Sequence, residues 1–137
     1  MYPAQLVLPM KEELVKVGFE DVTTADRVDA LVKEEGTVLM VVNSVCGCAA
    51  GAARPGVSMS LQGEGNKPSK LTTVFAGFDG DAVAQARKYF APYPASSPAI
   101  ALFKGGKLVH FVERHHIEGR SADMIAEHLK QAYAEFC

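Results

Sequence analysis

The feature that most constrains the fold is the unbroken apolar run Val38–Val42, which is followed almost at once by a pair of cysteines. Short β-branched runs of this kind are typical of strands covered on both faces, as in parallel sheets. Cys46-Gly47-Cys48 comes next, and then a stretch of small residues, 49–53, which would let a helix pack closely on a sheet. The sequence therefore predicts a strand, a cysteine-bearing turn and a helix that Pro55 kinks or ends.

Hydrophobic periodicity and turn residues predict the rest of the elements. These are helices over Lys11–Val17, Thr24–Glu35, Gly80–Phe90 and Ser121–Phe136, and strands over Leu71–Ala76, Ala99–Phe103 and Leu108–Val112. The last two strands flank a Gly-Gly turn, which indicates a hairpin, and Ser121 is the expected cap of a final helix whose apolar face includes Met124. This order predicts an α/β fold with a mixed central sheet flanked by helices and extra helices at the N-terminus. It resembles the thioredoxin topology.

Length and charge narrow the class of protein further. The 137 residues suit one domain, 1–137, and the net charge of −2 gives no electrostatic case for nucleic acid. No apolar run approaches the ~20 residues of a membrane helix, and the apolar start lacks the basic region of a signal peptide. Three cysteines do not make a secreted disulfide framework. We therefore expect a cytoplasmic protein, in which close cysteines indicate redox catalysis or metal binding.

The cysteine pair has the placement that thiol chemistry requires. The thiolate is the nucleophile of disulfide exchange, and the N-terminus of a helix favours an anion. Cys46 is therefore predicted to be exposed, to have a pKa below ~8.5 and to attack the substrate. Cys48 is predicted to be less accessible, in the first helical turn, and to act as the resolving partner. Gly47 supplies the backbone freedom that this spacing demands.

The short spacing also bears on redox potential. A Cys-x-Cys disulfide closes a smaller and more strained ring than Cys-x-x-Cys, and strained disulfides are more oxidising. We expect a weaker reductant than thioredoxin, suited to isomerisation or to mixed disulfides. Two alternatives remain: a pair of buried structural cysteines, or a non-enzymatic metal or iron–sulfur carrier that uses Cys46, Cys48 and Cys137. No second Cys-x-Cys is present, and no metal site is predicted.

Pro98 is the second candidate site residue. In thioredoxin-like proteins a cis-proline precedes the strand that faces the cysteines, and the residue before it offers backbone groups to an extended substrate. Ser97-Pro98, just ahead of the predicted strand Ala99–Phe103, matches that position. We therefore predict a cis bond and assign Ser97, Pro98 and Gly47 to the substrate-binding surface. The alternative is an ordinary turn proline.

The remaining thiol and the histidines carry weaker signals. Cys137 is either a frayed terminal thiol or a docked third thiol that resolves a mixed disulfide. His115 and His116 are interpreted as part of a structural loop rather than a zinc pair, with a smaller chance that one of them tunes the site. His110 and His128 are predicted to be surface positions on a strand and a helix.

Several segments together resemble one family. They are Asn43–Pro55, Pro94–Phe103, Glu113–Arg120 and Glu135–Cys137, together with the opening Tyr2-Pro3. These resemble the bacilliredoxins, small bacterial thioredoxin-like proteins with a Cys-Gly-Cys motif, and the likeness covers nearly the whole chain. It implies removal of bacillithiol, a low-molecular-weight thiol, from oxidised cytoplasmic proteins, with related isomerisation and reduction of disulfides. No bound cofactor is implied: bacillithiol or a similar thiol is a co-substrate, and the partners are S-thiolated or disulfide-bonded client proteins.

The resemblance also implies residue roles. Cys46 would attack the protein–bacillithiol disulfide and accept the bacillithiol, and Cys48 would help to release it or form an internal disulfide. Two positions depart from thioredoxin, since Val45 replaces the usual Trp and Met40 stands where thioredoxins carry a buried Asp. Without that carboxylate, reduction of ordinary disulfides should be slow, which favours work on mixed disulfides. A disulfide isomerase of high redox potential is the alternative.

Overall fold

The computed structural model describes residues 1–137, which form one five-stranded sheet with six helices. The elements are α1 (Ala4–Val15), β1 (Glu20–Asp21), α2 (Ala25–Val32), β2 (Thr37–Asn43), α3 (Gly47–Ser60), β3 (Lys70–Phe75), α4 (Gly80–Tyr89), β4 (Ala99–Lys104), β5 (Lys107–Val112), α5 (Arg114–Ile117) and α6 (Ala122–Phe136). The mixed α/β sheet flanked by helices is confirmed. None of the six helices combines the length and the apolar character that crossing a membrane requires.

The direction of the strands determines what meets at the edge of the sheet. The strand order is β1-β3-β2-β4-β5, with β2 parallel to β3 and antiparallel to β4, and with β4 antiparallel to β5. The strands β2, β3 and β5 therefore all point the same way. Their carboxyl ends lie beside the amino end of β4, so the cysteine turn, Pro98 and Arg114 gather at one edge.

The central strand β2 is covered on both faces, as its unbroken apolar sequence predicts. All seven of its residues are buried. Val38, Met40 and Val42 face α2 and α4, whereas Leu39 and Val41 face α3 and α6. Met40 thus lies in an apolar cluster, where a carboxylate would have to be buried among hydrocarbon side chains.

The first helix differs from the prediction. It begins at Ala4 rather than Lys11 and runs through Pro9, which costs a backbone hydrogen bond. Val7, Lys11 and Leu14 repeat at helical spacing on its buried face, and this packing outweighs the local cost of the proline.

The buried lysine of α1 also holds the helix in place through ion pairs. Lys11 Nζ lies 3.0 Å from an oxygen of Asp21 and 2.7 Å from an oxygen of Asp79, so it joins α1 to β1 and to the start of α4. The strand β1 has two residues, which is too short for hydrophobic periodicity to reveal. It is defined by its pairing with β3.

The helix α3 continues to Ser60, so Pro55 does not end it; the proline lies on its exposed side. The hairpin turn at Gly105-Gly106 and the Ser121 cap, which accepts a hydrogen bond from Met124 N at 3.3 Å, are both confirmed. Met124 itself is 53% exposed, so its assignment to the apolar face of α6 is wrong. It shares the solvent side of the helix with Gln131 and Glu135, which are also exposed.

Candidate active site

The turn between β2 and α3 is held by its own side chains. Asn43 Oδ1 accepts a hydrogen bond from Ser44 N at 2.8 Å, and Ser44 Oγ accepts one from Cys46 N at 3.0 Å. Cys46 is the N-cap of α3, and Gly47 begins the helix with a φ of +45°. An L side chain rarely adopts that conformation, which accounts for glycine between the two cysteines.

The sulfur of Cys46 lies in surroundings that favour the thiolate. Its pKa is lowered from 9.0, chiefly by a hydrogen bond with the Ser44 hydroxyl. Partial burial opposes this shift, but the Arg114 guanidinium and the Tyr2 hydroxyl add to it. The direction is the one that the sequence predicts, although specific side chains provide it rather than the helix end alone.

The relative exposure of the two cysteines is the reverse of the prediction. Cys46 is half-buried, whereas Cys48 is exposed, and both are free thiols. The first turn of α3 directs Cys48 to solvent, while side chains from other parts of the chain cover Cys46. An exposed Cys48 thiol, two residues from Cys46, is still accessible for disulfide exchange. Its resolving role stays a prediction.

The proline loop lies beside the same sulfur. The Ser97–Pro98 peptide bond is cis, as predicted; a second cis bond, Ala91–Pro92, was not anticipated. Arg114 connects the loop to the site, because its Nη1 donates to the Ser97 carbonyl at 3.2 Å and its backbone N donates to Ser96 Oγ at 3.3 Å. The substrate-binding role of Ser97, Pro98 and Gly47 stays a prediction.

A buried arginine supports the turn from below. Arg54, in the middle of α3, is 8% exposed. Its Nη1 donates to the Ser44 carbonyl at 2.7 Å and to Asn43 Oδ1 at 3.2 Å, while its Nε donates to Glu13 at 3.0 Å. Asn43 Nδ2 donates in turn to the carbonyl of Met10 at 3.1 Å. The turn is thus tied both to its own helix and to α1.

The third cysteine lies elsewhere. The helices α3 and α6 pack against each other, and Ser60 Oγ, at the end of α3, lies 2.9 Å from the hydroxyl of Tyr133. Cys137 is one turn beyond Tyr133, whereas Cys46 is at the other end of α3, which at 1.5 Å per residue is about 21 Å away. The structure therefore does not bring Cys137 to Cys46, either as a resolving thiol or as a third ligand of a metal carrier.

The four histidines fall into two groups. His116 Nδ1 accepts a hydrogen bond from Glu113 N at 3.3 Å and completes the capping box of α5, which supports its structural interpretation. Ligand atoms of Glu113, His115 and His116 lie within 4.8 Å of one another, but neither catalytic candidate cysteine joins them. The surface assignment of His110 and His128 is wrong, because both are half-buried and face each other.

Comparison with known proteins supports this picture. The family described as "Disulphide isomerase" matches residues 2–137. A bacilliredoxin from Cytophaga hutchinsonii is 64% identical over 135 residues, which are 98% of this chain and 99% of the relative. One from Bacillus cereus is 49% identical over 137 residues, covering 99% of this chain and 95% of the relative. The chain belongs to the bacilliredoxin family.

The bacilliredoxin chain shares its fold with thioredoxins. The thioredoxin of Malassezia sympodialis superposes with a TM-score of 0.60 at 15% identity, over 87% of this chain and 90% of that one. Mitochondrial thioredoxin 3 of Saccharomyces cerevisiae gives 0.59 at 10% identity, over 90% and 98%. The thioredoxin-like fold is therefore confirmed, and family and fold together support a thiol–disulfide oxidoreductase role.

Sequence reasoning missed three residues of this bacilliredoxin site. Arg114 could have been found from topology, because the carboxyl end of β5 falls at the same edge as that of β2. Arg54 is the one charge in a helix of small and apolar residues, which is a signal of a buried partner. Tyr2 gave no local signal: its backbone N donates to the Gly77 carbonyl at 3.0 Å, and these two residues are far apart in the sequence.

Proposed function

We propose that this bacilliredoxin removes bacillithiol, or a similar small thiol, from mixed disulfides on cytoplasmic proteins. The observation that carries the proposal is the Cys46 sulfur, whose thiolate is favoured by Ser44, Arg114 and Tyr2. A thiolate is the form that attacks disulfides, so the lowered pKa increases the fraction of Cys46 that is in its reactive form. The family name of its relatives points to the same class of chemistry.

The first step is thiol transfer. The Cys46 thiolate attacks the small-thiol sulfur of a protein–S–S–R disulfide, which forms Cys46–S–S–R and breaks the bond to the client. The client leaves as a thiolate and takes a proton from water. The Arg114 guanidinium, between Cys46 and the Ser97 carbonyl, is placed to stabilise the negative charge that passes along the three sulfurs.

The second step releases the small thiol. The Cys48 thiolate attacks the Cys46 sulfur, so that a Cys46–Cys48 disulfide forms and R–S⁻ leaves. Two further molecules of the small thiol then reduce this disulfide and are themselves oxidised to R–S–S–R. The small thiol is thus a co-substrate, and no bound cofactor takes part.

The surroundings of the sulfur support an extended client segment as substrate. A Cβ added at Gly47 would meet nothing within 4 Å, so the surface above the pair is open. The Ser97-Pro98 loop borders that surface, and backbone groups of Ser97 are the expected partners of the client backbone. S-thiolated and disulfide-bonded proteins are therefore the proposed partners.

Intact mass after incubation with a bacillithiol-capped client protein tests the proposal. Every variant should carry Cys137→Ala, so that the third thiol contributes nothing. We expect Cys48→Ala to free the client thiol and to retain one bacillithiol on Cys46, whereas Cys46→Ala frees no client. Equal loss in the two variants, with no adduct on Cys46, would contradict these roles.

Disulfide isomerisation is the second candidate, favoured by the description of the matching family. Stabilisation of the Cys46 thiolate favours the reduced form, and a reduced, nucleophilic thiol is what an isomerase uses. Refolding of scrambled ribonuclease in a thiol buffer measures this activity. An increase in recovered ribonuclease activity that depends on Cys46 supports isomerisation. If no increase is seen, thiol transfer is the one remaining candidate function.

A further inference from the structure

A cleft of about 240 Å³ lies between β5, α5 and α6, and neither cysteine of the active site lines it. Its floor is apolar and includes Ile100, Phe111, Ile117 and Leu129. An apolar cavity with a few convergent polar groups is the usual form of a small-molecule site.

Every polar side chain that lines the cleft is a base. They are His110 on β5, His116 on α5, Arg120 after α5 and His128 on α6, and no Asp or Glu accompanies them. The guanidinium of Arg120 takes part in none of the ion pairs of the protein. The cleft therefore holds four basic groups without an internal counter-charge on its walls.

Two of the imidazoles form a pair that can accept a proton. His110 Nε2 and His128 Nε2 lie 2.9 Å apart, so one carries a hydrogen and the other accepts it. Burial lowers the pKa of both, and the neighbouring charges of His116 and, for His128, Arg120 act in the same direction. Glu135 is the one acid that opposes this at His110. Both imidazoles therefore favour the neutral form.

We propose that this cleft binds a small organic anion, a carboxylate or phosphate group on a compact apolar body, between His110, His128 and Arg120. An anion placed at the paired Nε2 atoms needs a hydrogen on each of them, so binding draws one proton onto the pair. The guanidinium offers the fork of donors that carboxylate and phosphate oxygens fit. The apolar floor receives the remainder of the ligand.

The cleft is connected to the active site by a single turn of helix. Arg114 at the start of α5 faces Cys46, and His116, two residues later, lines the cleft. The anion can therefore come from two sources: a small thiol that carries an acidic group, as co-substrate of the proposed reaction, or a separate molecule. The binding proposal itself does not depend on the proposed function.

Calorimetric titration with succinate and with inorganic phosphate tests the binding. For succinate, titration in two buffers of different ionisation enthalpy should show uptake of about one proton per anion. The association constant should then rise about tenfold from pH 7.5 to pH 6.5. Succinamide, a neutral molecule of the same shape, should not bind.

Variants identify the residues. His110→Gln and His128→Gln keep a hydrogen-bond donor but cannot take up a proton, and each should weaken succinate binding at least about tenfold and abolish proton uptake. Lys130→Gln removes a charge from the exposed side of α6, outside the cleft, and should leave binding unchanged. Absence of saturable binding, equal binding of succinamide, or equal loss in Lys130→Gln would overturn the proposal.

A transfer assay distinguishes the two sources of the anion. Client proteins capped with 3-mercaptopropionate or with the neutral 2-mercaptoethanol differ in one carboxylate. If His110→Gln slows transfer of the acidic thiol alone, the anion belongs to the substrate; if both rates stay unchanged, it is a separate molecule. Alkylation of Cys46 should be unaffected in this variant, so that failure of the cleft and failure of the cysteine chemistry give different results.

Discussion

The two ends of α3 are built differently. At the amino end, Asn43 and Ser44 form a chain of hydrogen bonds with Arg54, which reaches back from the middle of the helix, and this chain fixes the turn that carries Cys46. At the carboxyl end, Gly56 lies directly against Ile125 of α6, and the structure is a packed interface. The amino end is therefore held by polar contacts, and the carboxyl half by the close approach of two helices.

One end of α3 thus adjusts the chemistry of the thiol, whereas the other end stabilises the fold. The polar end gathers side chains from α1, from the N-terminal segment and from α5, and it is there that the pKa of a thiol is lowered. At the apolar end, the side chains that pack between α3 and α6 affect the free energy of unfolding, and changing them should leave the pKa of Cys46 unchanged. Substitutions at the two ends should therefore affect different measurements.

The largest effect is expected for Arg54→Met, which keeps the length of the side chain and removes its donors. The Ser44 carbonyl and the Glu13 carboxylate lose their partner, which should cost about 2–4 kcal/mol of unfolding free energy. The loosened turn should also raise the pKa of Cys46. Urea unfolding and the pH dependence of alkylation measure the two effects.

The control for this prediction is Arg27→Met, which breaks the ion pair with Glu20 on the surface, away from the turn. It should leave alkylation of Cys46 unchanged and alter stability less. Wild-type stability in Arg54→Met would show that the turn keeps its shape without the buried guanidinium.

At the other end of the helix, the next largest effect is expected for Gly56→Ala. A Cβ there would lie 2.8 Å from two carbons of Ile125 and 3.2 Å from the carbonyl of Ala122, so α6 must shift at a cost of about 1–3 kcal/mol. Gly51→Ala, in the same helix with nothing within 4 Å, should instead stabilise by about 0.5–1 kcal/mol. Thermal unfolding of the two variants should shift in opposite directions, with alkylation of Cys46 unaltered in both.

The third prediction concerns the sulfur itself. In a Cys48→Ala, Cys137→Ala background, Ser44→Ala should raise the pKa of Cys46, because the hydroxyl is the largest single cause of its lowering, and Arg114→Gln should raise it as well. Alkylation by iodoacetamide as a function of pH gives these values. If both variants follow the wild-type profile, the helix end alone stabilises the thiolate.

The same shift predicts a pH dependence of stability. The pKa of Cys46 is lower in the folded protein than in the unfolded chain, so ionisation stabilises the fold. This contribution is fully present above the unfolded pKa and is lost as the pH falls through the folded pKa. The difference in unfolding free energy between wild type and Cys46→Ala should therefore grow from pH 6 to pH 9, and Ser44→Ala should reduce that growth.

The smallest effect is expected for Tyr133→Phe at the apolar end. The change removes one buried hydrogen bond to Ser60, which should cost about 1 kcal/mol. Burial raises the pKa of Tyr133 to about 12, so no loss of this bond by ionisation is expected below pH 10. Tyr93→Phe, at an exposed ring, is the control for chemical denaturation; an altered Cys46 reactivity in Tyr133→Phe would show that the two ends are coupled.

Much of the fold could be predicted because its signals are local. The buried run of β2, the two-glycine hairpin and the Ser121 cap each depend on residues near one another in sequence. The start of α1 was not predicted, because local propensity weighs against proline in a helix, whereas the packing of Val7 in the core carries α1 through Pro9. Of the two effects predicted for Pro55, an end of the helix is wrong, because α3 continues to Ser60.

The candidate site was predictable only at its centre. The place of the cysteines follows from the strand that precedes them, but the exposure of Cys46 depends on Tyr2 and Arg114, which no local pattern connects to it. The His110–His128 contact joins β5 to α6, and hydrophobic periodicity does not reveal contacts between residues of two different elements. Contacts between distant segments thus decide which thiol is covered and which surfaces are charged.

The position of Tyr2 has a practical consequence. Its backbone N donates a hydrogen bond to Gly77, and its ring fills the space that a Cβ at Gly77 would occupy. Its hydroxyl faces the reactive sulfur. An affinity tag joined ahead of Tyr2 therefore leaves the protein beside Cys46, where it competes with clients for access. A tag joined after Cys137 leaves at the far end of α3, so the choice of purification handle decides whether a measured rate is that of the native site.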